Sequence, residues 1–556
     1  MRLLALCMMF MMTALSPKLL AKGTAQAADD WKTHFSSIPV QYQGRVMPLD
    51  TYARVLALEL TGRTHWTDER TPPELAGRDH LDLYSDLLFL PTEMYNAPVI
   101  RVSDKALKSS LGLDADTNYF SAQELMSNRQ ILQLSGDLQS KMQAQPAYSP
   151  SSVETALMDT QQRITVLTRF LGSDHLGLST KSKAGRFLTI TTEIGDVHNG
   201  KIRSAFFSMQ EAYLLGVGIN EASEQLAIAL RLPPNHQRPI DHRIGLEIMY
   251  NTHSPWKMAT YANLISLLLI MVYTKFARTW IKLCIGICVL WSVSEQVFGH
   301  YLRLGFLEHI PISNTFEVLL WIGLIAVVLG IIGQLTVSKC WCIAAGVGAC
   351  QICISFSMLV PATDQSSILS ASLRSNYWLV VHVLTVVSSM GFMLLAAVLA
   401  HIFLIKDALS HRDDQSSSKV IQSASLLMQL GVIVLTSGTV LGGVWAANSW
   451  GRFWGWDPKE TWSLITILIY VTLYHAKYAG WIHDFGMALG AIVGFGAVVW
   501  TFYGVNYVMG SPLHSYGAGS GGVTPLLIWI AIEAIFIAVC MALKSLDSIR
   551  HLSSSL

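Results

Sequence analysis

The chain has 556 residues, of which 51% are hydrophobic and only 14% charged, and its formal net charge at pH 7 is +1. Soluble domains carry about 25% charged residues, so a wholly water-soluble chain is excluded. There is no basic patch or motif of a nucleic-acid reader, which sets that class aside.

Read from the N-terminus, "MRLLALCMMFMMTALSPKLLAKGTAQAA" has a positive start at Arg2, an apolar run from Leu3 to Leu15, and a small-residue cleavage site at Ala25-Gln26-Ala27. That is the pattern of a signal peptide over 1–27. An uncleaved anchor is the alternative, and either places segment 28–255 outside the cytoplasm. This segment reads as a mostly helical α+β extracytoplasmic domain. "SAQELMSNRQILQLSGDLQSKMQAQ" is helical in pattern, with Ser121 and Glu124 in capping-box spacing. "KAGRFLTITTEIGDV" is its best strand candidate. It contains no cysteine, so no disulfide framework holds it.

From about residue 259, apolar runs of membrane-spanning length take over. They predict spans near 259–274, 280–298, 316–334, 340–360, 378–405, 425–446, 461–479, 487–505 and 524–543. The expected fold class is a polytopic α-helical membrane protein of about nine transmembrane helices over 256–556, preceded by the extracytoplasmic domain. With 28–255 outside, the inner loops hold Lys275, Arg278, Lys339, Lys406, Arg412, Lys419, Lys477, Lys544 and Arg550. The outer loops hold only Arg303, Arg374, Arg452 and Lys459. The loop charges and the export signal therefore agree on orientation. Seven of the eight cysteines lie in or beside the apolar runs, where a cysteine reads as a small buried hydrophobe; Cys350 and Cys353 are included in that reading. No C-x-x-C-H haem-attachment site is present.

The stretch 445–462, "WAANSWGRFWGWDPKETW", carries five of the sixteen tryptophans. This orientation places it on the outer side. An interfacial aromatic belt needs one or two rings per helix end. Five indoles with interleaved glycines suit a flat apolar macrocycle instead. His382, near the outer mouth of its span, and His514, in "GVNYVMGSPLHSYGAGSGG", face the same side, and two neutral imidazoles can fill both axial positions of a haem iron. Asp457, Pro458 and Glu460 read as the N-cap, N1 and N3 of the next helix. His475 lies near the inner end of that span, either snorkelling or liganded. His401 has a weaker claim at similar depth. His300 and His309 fall in an outer loop and are expected to be solvated.

"WGRFWGWDPKETWSL" resembles the tryptophan-rich WWD motif of the haem-handling membrane proteins of cytochrome c biogenesis. "NYWLVVHV" and "GVNYVMGSPLHSYG" resemble the histidine-bearing segments that flank it, and "IPISNTFEVLLW" resembles a further segment of the CcsA branch. The likeness covers roughly 295–540. "IPVQYQGRVMPLDTYA" resembles the exported region that precedes CcsA in some fused CcsB–CcsA synthetases of system II.

The resemblance implies that haem b is a transported substrate, presented at the outer face and ligated there by His382 and His514. It implies that His475, with a histidine from a partner, holds haem within the membrane. Trp445, Trp450, Trp454, Trp456, Asp457 and Trp462 complete the implied cofactor-binding set. A separate CcsB-like membrane protein is the implied partner, apocytochrome c the implied acceptor, and the bacterial inner membrane the location, with the tryptophan loop periplasmic. The implied reaction joins two C-x-x-C-H thiols to the haem vinyl groups, as part of a haem lyase complex. The nucleophilic thiols belong to apocytochrome, so no catalytic residue is inferred here. A haem delivery protein without ligation activity and a cytochrome b-like electron-transfer subunit are the competing readings.

Overall fold

The computed structural model describes residues 30–42, 45–66, 72–145, 148, 150–171, 197–230, 234–307, 309–337, 340–359, 376–409, 415–509 and 523–554. The signal segment, His514 and all but the last residue of the strand candidate 183–197 lie outside the described residues. The chain forms two compact units, Met1–Thr252 and His253–Leu556.

Among its described residues the first unit is mostly helical, with two small antiparallel ladders. Pro39–Tyr42 pairs with Arg45–Pro48, and Ile100–Arg101 pairs with Tyr119–Phe120. Pro39 and Pro48 face each other at one end of the first ladder's register, where a missing N–H interrupts no interior pairing. The Leu49–Thr61 helix buries Leu49, Ala53, Leu56, Ala57 and Leu60, an i, i+3, i+4 stripe that faces the core. Its Asp50 is buried, and hydrogen bonds offset that burial. The carboxylate accepts from His80 Nε2 (2.7 Å), Arg54 Nε (2.9 Å) and Asn251 Nδ2 (2.8 Å). Burial alone would raise the Asp50 pKa, but His80 and Arg54 overcome it and hold the carboxyl well below its usual range. The helical pattern over 121–145 becomes two helices, Ala122–Ser127 and Arg129–Ala144. Asn128 divides them, because its extended backbone and its side chain, which accepts from Gln130 N at 2.9 Å, cap the second.

In the second unit each of the nine apolar runs forms a helix. Among the described residues seven helices are long and apolar enough to cross a membrane: His242–Phe276 (which begins in the first unit), Thr279–Leu307, Thr315–Leu335, Val380–Ala408, Ser418–Trp450, Asp484–Met509 and Val523–Ser545. The two others are the shorter Trp341–Ser357 and the Pro458–Tyr478 helix, whose hydropathy is diluted by its Thr, Tyr, Trp and His residues. The protein is thus a multi-pass membrane protein. Leu384–Leu409 is the central helix, with Ala396, Leu399, Ala400 and Leu404 fully buried. Small residues allow close helix contact: a Cβ on Gly330 would stand 2.8 Å from the Cys342 carbonyl and 2.9 Å from Gly346 Cα. Cys284, Cys288, Cys342, Cys350, Cys353 and Cys540 are buried, and among the described residues none of them forms a disulfide. Cys350 sits in a polar seam, where its thiol donates to Gln296 Oε1 (3.4 Å) and accepts from Asn263 Nδ2 (3.5 Å).

His300 departs from the expectation of a solvated loop residue. It lies on the Thr279–Leu307 helix, 6% exposed, stacked on Trp321 at 4.2 Å and edge-on to Trp256 at 5.2 Å. The helix runs on past residue 298, and the two indoles exclude water from the ring. His309 does lie beyond the helix, part-buried, with Nδ1 donating to the Ile310 carbonyl at 3.1 Å. Arg303, on the same helix as His300, forms a buried ion pair with Glu317 at 2.6 Å. Glu317 also accepts from the Ser313 amide and hydroxyl at 2.8 and 2.7 Å, which fixes the 310–314 segment.

Candidate functional site

His382 lies on a single π-helical turn, Leu379–Val383, at the start of the central helix. Such turns insert one residue and re-aim a side chain, and they concentrate at functional sites. The imidazole lies against the Gln415–Trp450 helix. Its Nδ1–H donates to the Gly438 carbonyl at 2.8 Å, which fixes the neutral tautomer with the lone pair on Nε2. Gly442 makes room for the ring: a Cβ there would stand 2.6 Å from His382 Cε1. The Trp445 ring lies 5.8 Å from the imidazole, and Trp450 stacks on Trp445 at 6.3 Å with 27° between planes.

The loop after Trp450 is tied by one carboxylate. Glu460 Oε2 accepts from the amides of Gly455 (2.8 Å) and Asp457 (3.2 Å), while Asp457 Oδ1 accepts from Lys459 N (2.9 Å). This is the capping box expected from Asp457 and Glu460, with Pro458 at N1. Between the two clamped amides stands Trp456, left-handed at φ 56° and 69% exposed. A bulky residue in that region is strained by about 1–2 kcal/mol. Trp454 meets it edge-on at 5.8 Å.

His382, Trp445, Trp450 and Trp454 line one open cleft together with Ile312, Val318, Gly442, Gly443, Lys459, Glu460, Ser463, Thr501 and Phe502. It holds about 950 Å³ of empty space, part of it continuous with solvent. The wall is aromatic and aliphatic, with one imidazole, one ammonium and one carboxylate. A planar macrocycle carrying a metal and peripheral charge fits this donor set.

The other expected site residues lie elsewhere. Trp456 points outward, Trp462 packs on Trp500 at 5.4 Å, and Asp457 is the buried helix cap; none of the three is among the cleft's described lining residues. His475 is exposed on the Pro458–Tyr478 helix, its Nδ1–H donating to the Val471 carbonyl at 2.8 Å. His401 has both ring nitrogens engaged, Nδ1 with the Ala397 carbonyl (2.8 Å) and Nε2 with Glu533 (3.0 Å), so that weaker candidate offers no nitrogen to a metal. Sequence reasoning missed the contributions of Ile312, Lys459, Thr501 and Gly442. "TVLGGVW" carried the only local signal among them, since paired glycines inside an apolar helix mark close approach.

The family pattern described as Cytochrome C assembly protein matches residues 312–513, which include His382 and the whole tryptophan stretch. Protein NrfI of Wolinella succinogenes is 24% identical over 513 residues; the match covers 87% of this chain, which spans about half (54%) of NrfI. A cytochrome c biogenesis protein CcsA of Synechococcus sp. is 31% identical over 310 residues, 48% of this chain and 99% of that protein. CcsA of Cyanidium caldarium is 34% identical over 205 residues, 31% of this chain and 69% of that protein. With a nearly complete CcsA contained in it at that identity, the chain belongs to the CcsA family of cytochrome c biogenesis proteins.

Proposed function

We propose that this protein exports haem b to the outer face of the bacterial inner membrane and presents it there for thioether attachment to the C-x-x-C-H segment of apocytochrome c, working with a CcsB-like partner. One observation carries the reading: a histidine whose Nδ1–H is tied to a backbone carbonyl is the lining imidazole of a tryptophan-walled cleft. Metal-ligating histidines are oriented by such a bond, which fixes the tautomer and makes Nε2 the donor to the metal.

In this reading haem is the substrate. His382 supplies one axial nitrogen and His514 the other; the second assignment rests on the family resemblance. Trp445, Trp450 and Trp454 cover a porphyrin face and exclude water, and Trp456 offers an exposed indole beside them. The chain's contribution to the chemistry is positioning. It holds the vinyl edge open to the incoming thiols while the apocytochrome histidine displaces one imidazole. His475, exposed with Nδ1 occupied, is the proposed internal ligand and awaits a histidine from the partner. Segment 28–255 is the proposed extracytoplasmic domain after a signal peptide over 1–27, with 256–556 as the haem-handling domain; the excess of Lys and Arg in the predicted inner loops supports that orientation.

The test is the reduced absorption spectrum of protein purified with and without its CcsB-like partner. A bis-imidazole signal altered by His382→Ala and by His514→Ala is the expected result. Identical spectra and identical cytochrome c maturation in both variants would remove the axial assignment.

A further inference from the structure

His401 and Glu533 meet within the membrane-spanning part of the chain. His401 stands on the central helix, about 10 Å of helix from the end of its span at Ala408, and Glu533 lies at least about 15 Å of helix from either end of Val523–Ser545. An ionisable side chain at such depth is expensive and marks a functional site by default. His401 Nδ1 is 2.8 Å from the Ala397 carbonyl and Nε2 is 3.0 Å from Glu533 Oε2, with Phe536 against the ring at 4.8 Å. A carbonyl oxygen only accepts, so Nδ1 carries a proton. The Nε2 contact then needs a second proton, on Nε2 or on the carboxyl group. Either way the pair is net neutral and shares that one proton. Removing it leaves a lone pair on Nε2 facing a carboxylate, and an uncompensated negative charge in hydrocarbon. Moving the Nδ1 proton to Nε2 would only transfer the break to Ala397. A further proton leaves the link intact, because a protonated carboxyl still offers Nε2–H an acceptor oxygen. The link therefore opens in one direction, as pH rises.

The Val523–Ser554 helix that carries Glu533 is lightly held. Only 11% of its most apolar stretch is buried, against 28–67% for the other six spans. A second polar link joins it to the central helix, where Lys544 Nζ donates to both Asp407 oxygens at 3.1 and 2.9 Å. It also packs on Trp500–Met509, the π-helical segment that carries Thr501 and Phe502 of the cleft. The other titratable or charged residues described on these helices and on the elements packed against them are Glu317, His382, Lys406, Lys419, Asp484, Tyr503, Tyr507, Cys540 and the cysteines of Cys340–Ser357. None of them bonds to His401 or Glu533. We propose that His401 and Glu533 form an intramembrane proton-binding site, whose one shared proton latches the Val523–Ser554 helix to the central helix. Release of that proton to water opens the latch and loosens the helix against the segment that bears part of the cleft wall. The inference stands apart from the haem-cargo reading and does not need it.

The test uses full-length protein in lipid nanodiscs. Amide hydrogen exchange of 523–545 is followed against pH by mass spectrometry, with the Pro255–Phe276 helix as the reference that cancels the intrinsic pH dependence of exchange. In wild type the relative exchange should step up by about tenfold as the pair loses its proton, the loss expected for a hydrogen bond to a charged group. Glu533→Gln donates its own amide N–H to Nε2, so its exchange should stay slow and flat. His401→Phe keeps a ring against Phe536 without the bond, and its exchange should be fast throughout. Infrared difference spectra over the same pH range should show a carboxyl or imidazole transition at the wild-type step that Glu533→Gln removes. A wild-type profile parallel to that of Glu533→Gln, or a step without that transition, would overturn the inference; the Glu533→Gln comparison decides even if His401→Phe fails to fold.

Discussion

Gly442→Ala tests the site with a single methyl group. The added Cβ would stand 2.6 Å from His382 Cε1, 3.0 Å from Nδ1 and 3.2 Å from Nε2. Carbon atoms settle at about 3.5–4.0 Å, so the imidazole must retreat by about 1 Å. That strains or breaks its 2.8 Å bond to the Gly438 carbonyl, a loss of about 0.5–1.5 kcal/mol. It also moves the ring out of register with anything bound in the cleft, and a misplacement of about 1 Å can cost about 100-fold in activity. The helix itself gains, because alanine exceeds glycine in helix propensity by up to about 1 kcal/mol. Loss of function is therefore separable from loss of fold. The assay is the reduced haem spectrum of the purified variant, the yield of matured cytochrome c and the thermal midpoint, measured together. The expected outcome is a perturbed haem signal and maturation at a few per cent of wild type, with an unchanged or raised midpoint. An unaltered spectrum with full maturation would show that His382 does not act from the position it occupies against Gly442.

Trp456→Gly should stabilise the protein by about 1 kcal/mol, by releasing the left-handed strain at φ 56°, while lowering haem retention. Trp456→Ala should lower retention without the gain, and equal midpoints for the two would show that the backbone there is unstrained. Glu317→Ala removes the buried carboxylate paired with Arg303, so thermal unfolding should show a loss of about 3–5 kcal/mol, with Glu317→Gln milder. A loss below about 1 kcal/mol would mean that groups other than Glu317 hold the Arg303 charge. In the first unit, the Asp50 pKa is lower folded than unfolded. Its stabilisation is therefore complete above the unfolded value of about 3.9 and is lost as pH falls below it. Hydrogen exchange of the Leu49–Thr61 helix in the full-length protein should accelerate below about pH 4 in the wild type and stay flatter in Asp50→Asn. Parallel profiles would remove the Asp50 cluster as the acid-labile point.

Much of the second unit is legible from composition alone. Each apolar run becomes a helix, because a backbone in hydrocarbon must satisfy its own hydrogen bonds and 3.6-residue winding is the local way to do so. The capping box at Asp457 and Glu460 is legible for the same reason: its partners are three residues apart. The break at Asn128 is less so, since Asn is tolerated within a helix and becomes a cap only when the chain on either side turns into different packing. His300 escapes a reading by position altogether, because its burial depends on Trp256 and Trp321, 44 and 21 residues away in the chain. His401 likewise looks like a candidate ligand until Glu533, 132 residues on, takes its Nε2.

The sequence by itself determined the helices, the tryptophan cluster and the family, because periodicity, local capping and motif spacing are properties of short stretches. Tertiary structure decided which members of that cluster share a wall. Trp445, Trp450 and Trp454 join His382 in one cleft, whereas Trp462 turns to Trp500 and Trp456 to the outside. It also decided that Gly438 and Gly442 orient the histidine and that Lys459 lines the cleft. These depend on which helix faces meet, and that is set by side chains from several distant spans packing at once.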